Sequence, residues 1–92
     1  MKTILVSYDL NGHESRQAYT DLIDRIKKYS TWAKPLESLW LIKTDDSVSD
    51  VRDTLKPYID ENDELLVLDV TSRSWATRGI SAKVNDWIKE NL

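Results

Sequence analysis

Cysteine is absent from the 92 residues, which excludes disulfides and thiolate metal sites and makes a reducing, cytoplasmic setting the expected one. Glycine is scarce as well. Two glycines, Gly12 and Gly79, cannot make the kind of Gly-rich loop that cradles phosphate on backbone N–H groups. With one histidine, His13, neither a zinc pattern nor a convincing Ser–His–Asp set can be assembled. No apolar run approaches the roughly 20 residues that span a bilayer, so no membrane partner is expected. The opening MKTILVSYDL starts like a signal peptide, but Ser7 and Asp9 interrupt the apolar run and no small-residue cleavage site follows. Positive charge is in deficit: 13 Lys and Arg against 16 Asp and Glu leave a net charge of −3. That balance disfavours strong, salt-driven nucleic-acid binding by a lone chain, while leaving room for a local basic strip.

What is present suffices for one thin-cored domain. The apolar fraction of 40% can build a core, and the 32% of charged residues are too evenly mixed in sign for a disordered chain. No repeat, linker or low-complexity stretch divides the sequence, so residues 1–92 read as a single domain whose C-terminal part, 72–92, is a loop and a helix.

Alternation over Lys2–Asp9 predicts a first strand with Ile4, Val6 and Tyr8 on one side and Thr3, Leu5, Ser7 and Asp9 on the other. Asn11–Gly12 breaks it as a turn. From Glu14 to Tyr29, apolar residues at Ala18/Tyr19, Leu22/Ile23, Ile26 and Tyr29 predict an amphipathic helix. Thr31–Leu36 contains Pro35, which belongs on a sheet edge. Ser38–Thr44 is apolar on both sides and reads as an interior strand. Ser47, with Asp50 three residues on, predicts the start of a second helix with Val48, Val51, Leu55 and Ile59 on its apolar face, cut short near Lys56 by Pro57. Glu64–Thr71 is the densest strand in Leu and Val. Ser81 caps a third helix with Ile80, Val84, Trp87 and Ile88 on one face.

The order strand–helix–strand–strand–helix–strand predicts an α+β, ferredoxin-like βαββαβ domain with an antiparallel sheet plus a C-terminal helix. Right-handed crossovers then set the fourth strand beside the first and the third between the first and second. Two helices cover only one face of such a sheet, yet Leu5, Trp40 or Leu41, and Leu66 or Val67 make the other face apolar. Something must cover it. Either the third helix folds back within the chain, or two chains pair; the expectation is a homodimer whose seam the C-terminal segment helps to close.

The residues VSYDL at the end of the first strand and ESLWLIKT in the third, with this strand order and length, resemble the SinR-like group of small proteins. That group is similar to the CRISPR-associated adaptor family Cas-two and, more distantly, to the VapD toxins. The resemblance covers roughly Met1 to Thr71, and a C-terminal helix is a feature of the SinR-like branch. It implies a homodimer in which the Asp of a Tyr–Asp pair, here Asp9, is the metal-binding and catalytic residue, one from each chain. The implied cofactor is Mg or Mn, the implied partner DNA or RNA, and the implied role an adaptor or a metal-dependent nuclease. Ser38, Leu39 and Trp40 match the family's Ser–apolar–aromatic start of the third strand. The sequence departs from the pattern after the first helix, where Tyr29–Ser30 and Lys34–Pro35–Leu36 stand in place of a Gly and an Arg-Val-Gln run.

Read from chemistry alone, Asp9 has two roles open to it. It is a hard oxygen ligand for Mg²⁺ or Mn²⁺, or an acceptor of turn hydrogen bonds from Asn11 or Gly12. His13 is a candidate general base beside it, or a solvated turn residue. Asp45–Asp46 and Asp60–Glu64 lack the spacing of a calcium loop and read as helix-start acids and a solvated turn. Trp40 and Trp87 read as core. Arg73 and Arg78, flanking Trp75, are the candidate nucleic-acid contacts; the same loop also fits an aromatic anchor with arginines around it in a protein interface. A protein-interaction or regulatory module therefore stands as the alternative function.

Overall fold

A computed structural model describes residues 1–11 and 16–92, with Arg16 described by its backbone alone. His13, Gly12 and the start of the first predicted helix lie outside the described residues. The elements in chain order are β1 (Lys2–Asp9), α1 (Arg16–Ile26), β2 (Thr31–Leu36), β3 (Leu39–Thr44), α2 (Val48–Leu55), β4 (Glu64–Asp69) and α3 (Ala82–Asn91). The fold is α+β: one four-stranded sheet in the order β2-β3-β1-β4, every neighbour antiparallel, with three helices. This arrangement is compatible with a ferredoxin-like domain, and β4 lies beside β1 as the crossover argument expects.

Local chemistry sets the boundaries. The Ser47 hydroxyl accepts from the Asp50 N–H at 3.1 Å and starts α2. The helix stops at Leu55 and tightens into a 3₁₀ turn, Lys56–Tyr58, because Pro57 has no N–H to continue the α pattern. Pro35 sits in β2, an edge strand, at a register shift between Ala33 and Leu36. β4 ends at Asp69, two residues before the predicted end. The Asp69 carboxylate there accepts from the Thr71 N–H and hydroxyl, bending the chain out of the ladder. Those two bonds hold the Asp69 carboxyl below the usual carboxylate range.

One face of the sheet carries the core. Ile4, Val6 and Tyr8 of β1 and Trp40 and Ile42 of β3 pack with Leu22 and Ile26 of α1 and Val51 and Leu55 of α2. Val48 is not part of it. As the first residue of α2 it is exposed, beside Leu65 and Val67 at the surface. Trp40, 1% exposed, donates its indole N–H to the Tyr8 hydroxyl at 3.1 Å, so a large ring is buried without a stranded donor.

Burial pushes the Tyr8 phenol up to about 12 and raises that of Tyr29. Both are neutral in the fold, whereas an unfolded tyrosine ionises near pH 10. Their contribution to stability is complete below pH 10 and is lost as pH rises through about 12. Chemical denaturation at a series of pH values is expected to show the midpoint falling across that window, with Tyr8→Phe removing part of the fall. An unchanged midpoint from pH 10 to 12 would contradict it.

The second face is covered in part by the chain itself. α3 starts with the Ser81 hydroxyl accepting from the Val84 N–H and packs along β2. Trp87 donates to the Thr31 hydroxyl at 3.0 Å, and the carbonyl of Asn91 accepts from the Lys43 ammonium at 2.9 Å and from the Thr3 hydroxyl. A lysine at the negative end of a helix is electrostatically favoured. Ala33, Leu41 and Ile88 are buried here, apart from the main core. So the apolar side of α3 is engaged within the chain rather than left free to close a seam between chains. Its cover stops at β3 and the start of β1.

Candidate functional site

β1 and β4 run antiparallel in register, so the last residue of one faces the first of the other. Asp9 is paired with Glu64, Ser7 with Leu66 and Leu5 with Leu68. All six lie on the second face, and Asp9, Glu64, Leu66 and Leu68 are exposed there. Directly opposed residues in such a ladder have Cβ atoms roughly 4.5–5.5 Å apart, and like charges opposite one another are destabilising. The Asp9–Glu64 pair therefore stands at one end of an open face, two acidic residues directly opposed in the ladder.

Around them is a shallow basin of about 480 Å³, lined by Ser7, Asp9, Ser38, Glu64 and Leu66 among others. The turn between β2 and β3 is tied to it: the Ser38 carbonyl accepts from the Tyr8 N–H at 3.2 Å and from the Ser7 hydroxyl at 3.1 Å. The antiparallel order thus brings the end of β1, the β2–β3 turn and the start of β4 to one rim, where Asp9, Ser38 and Glu64 meet.

Asn11, which follows β1, is held by other acids than Asp9, and the alternative donor, Gly12, lies outside the described residues. The Asn11 N–H donates to Asp63 Oδ1 at 2.8 Å, and its side-chain amide donates to Glu64 Oε1 at 3.0 Å and to the Asn62 carbonyl. Asp63 also accepts from the Asp60 N–H at 2.8 Å, which explains that acidic run as turn chemistry. The expectation that Asp9 accepts from Asn11 is thus corrected, because Asp63 takes that N–H. Among the described residues no donor or cation is bonded to the Asp9 carboxylate. In the sequence Glu64 reads as the end of a solvated acidic turn, not as the residue opposite Asp9; the signal was available, since an in-register β1–β4 pair brings the end of one strand to the start of the other.

Among the described residues no three Asp, Glu or His side chains converge as a metal cage. A single chain supplies two carboxylates here, with the Ser7 and Ser38 hydroxyls nearby.

Inward from the rim the open face turns apolar. Leu66 is 53% and Leu68 45% exposed, Leu5 and Leu39 are half-buried, and Leu36 is exposed at the sheet edge. Arg73 and Arg78 lie elsewhere. The Arg73 N–H donates to the Val70 carbonyl just past the far end of β4, whose six residues span about 20 Å. Arg78 follows Thr77, which is bonded to Asn85 of α3. Both are exposed, as is Trp75 between them, and the structure does not bring them to Asp9. Gly79 closes that loop at φ +75, with nothing within 4 Å of a would-be Cβ, so it is the backbone conformation rather than space that calls for glycine. Asp45 and Asp46 precede α2, Asp45 lying beside the N-terminal ammonium at 3.7 Å. No helix among the described residues is long and apolar enough to cross a membrane. No protein-family model matches the chain.

Proposed function

We propose that the chain is a homodimeric, ferredoxin-like adaptor for nucleic acid, akin to the CRISPR-associated and SinR-like proteins it resembles, closed through the uncovered half of its second face. The single observation that carries this reading is the exposure of Leu66 and Leu68 beside Leu5 on a face that α3 leaves bare. A patch of this kind is a normal interaction surface and an abnormal solvent surface.

The face is favoured over the β4 edge as the seam. Two β4 strands pairing antiparallel over Glu64–Asp69 would set Glu64 opposite Asp69 twice, apposing like charges. Stacking face to face instead buries leucine on leucine. Arg73 and Arg78, exposed in each copy, then give the dimer four guanidinium groups for phosphate contacts, each capable of a paired N–H donation.

A second reading rests on Asp9, whose carboxylate meets no donor or cation among the described residues. Mg²⁺ is ordinarily held by one or two carboxylates, with waters and substrate phosphates completing its shell. Asp9 and Glu64 are a donor set of that kind, and a bound Mg²⁺ or Mn²⁺ would polarise a phosphodiester. Asn11, bonded to Asp63, Asn62 and Glu64, holds the start of the turn beside them.

The test is incubation of labelled RNA and DNA with the protein, with Mg²⁺ or Mn²⁺ and without, beside Asp9→Asn and Arg73→Ala/Arg78→Ala. The adaptor reading expects steeply salt-dependent binding that the arginine variant weakens, and no cleavage. Cleavage abolished by Asp9→Asn would establish the nuclease instead. Absence of both binding and cleavage would leave a protein-interaction module.

A further inference from the structure

The edge of the sheet farthest from Asp9 holds a different site. Around the outer margin of β2 runs a cleft of about 450 Å³, bounded by the turn after α1, by β2 itself and by the start of α3. Lys27, Lys34 and Lys83 line it, one from each of these elements, and no Asp or Glu does. In a chain of net charge −3, a cleft whose charged lining is all cationic is a local reversal of sign. None of the three lysines forms an ion pair among the described residues.

The other walls are aromatic. Trp32 is 37% exposed and braced from behind by an edge contact with buried Trp40 at 5.2 Å. The Lys27 ammonium lies over the Trp32 ring at 5.2 Å. Trp87 forms the opposite wall, its N–H committed to Thr31, so its ring is fixed in place. Large rings held at a surface, among lysines that sit on rings (Lys27 on Trp32, Lys34 on Trp40) and that no described carboxylate neutralises, match the stacking platform and basic track that bind unpaired nucleotides.

We infer that this cleft binds single-stranded nucleic acid, one unpaired base stacking on Trp32 while Lys27, Lys34 and Lys83 meet the flanking phosphates. An exposed ammonium resting on a ring is a weak contact. On binding, the base takes its place and Lys27 turns to a phosphate. β2 suits this role because an edge strand leaves one side open along its length. A duplex does not fit, since its bases are already stacked and unavailable to Trp32. The cleft lies within one protomer and depends neither on the dimer face nor on Arg73 and Arg78.

Fluorescence anisotropy of a labelled ten-residue oligothymidylate, titrated with the full chain at several salt concentrations, tests the inference. Three phosphate-bound lysines predict a slope of log K against log salt of about −2. Trp32→Ala is expected to weaken binding roughly tenfold or more, and Trp32→Tyr to restore most of it, since stacking needs only an aromatic face. Lys27→Ala with Lys83→Ala should weaken binding and flatten the salt slope. The monomeric Leu66→Asp/Leu68→Asp chain should bind as the parent does, which separates this site from the dimer reading. Thymidine monophosphate binding as tightly as the oligonucleotide, the duplex competing equally, or Trp32→Ala binding unchanged while folded by circular dichroism would each overturn it.

Discussion

Replacing Leu66 and Leu68 together by Asp is expected to turn a dimer into a monomer without unfolding it. In the isolated chain both side chains are about half exposed, so the new carboxylates reach water and folding stability changes little. In a face-to-face dimer the same positions are buried against a second copy, and each would carry an ionised group into a dry seam with no partner. Such a group costs about 3–5 kcal/mol. Even one uncompensated pair raises the dissociation constant by roughly a thousandfold. Sedimentation velocity across a concentration series, with far-UV circular dichroism alongside, reads both quantities. A variant that still sediments as a dimer would show that the seam lies elsewhere, the β4 edge being the next place to look.

Trp40→Ala is expected to leave the chain largely unfolded at room temperature. The indole is 1% exposed at the centre of the core, meeting Trp32 on one side and Tyr8 on the other. Truncating a buried Trp costs about 3–5 kcal/mol through lost transfer energy and the cavity left behind. The Tyr8 hydroxyl loses its donor at the same time, which adds to the cost when the phenol stays buried. Against the roughly 5–15 kcal/mol available to any small domain, and the lower end expected of 92 residues, that is most of the margin. Urea denaturation followed by fluorescence of the remaining tryptophans measures it. Trp40→Phe keeps a ring in the core and is expected to lose distinctly less; equal losses for both would mean that the position is less tightly packed than its burial says.

Much of the fold is legible in single residues. Alternation in KTILVSYD fixes which side of β1 faces the helices, and Ile4, Val6 and Tyr8 are indeed buried there. Pro35 names the edge strand because it lacks an N–H, and Ser47 and Ser81 name two helix starts because each hydroxyl accepts a free N–H of the first turn. Val48 misleads for a related reason. It has the right spacing for the apolar face of α2, but it lies at the sheet's margin beside Leu65 and Val67 of the edge strand β4, and periodicity carries no information about how fully an edge covers a helix.

The site was legible only in part. Asp9 and the acidic rim follow from strand order, yet the competition for the Asn11 N–H was decided by Asp63, an acid 52 residues distant from it in sequence. How far α3 reaches across the second face is likewise a tertiary question, answered by bonds from Thr3 and Lys43 to Asn91 that no local pattern announces. The cleft at β2 was the least visible of all. Its three lysines come from the end of α1, from β2 and from α3, and each by itself is an ordinary surface lysine. Trp32 carries no signal until its neighbour Trp40 is known to brace it.

The most direct measurement is the mass of the unmodified chain in solution by multi-angle light scattering at micromolar to hundred-micromolar concentration. Two copies closed over Leu5, Leu66 and Leu68 give about twice the 10.7 kDa of one chain. A constant mass of one chain throughout, with those leucines left in water, would contradict the dimer on which the proposed function stands.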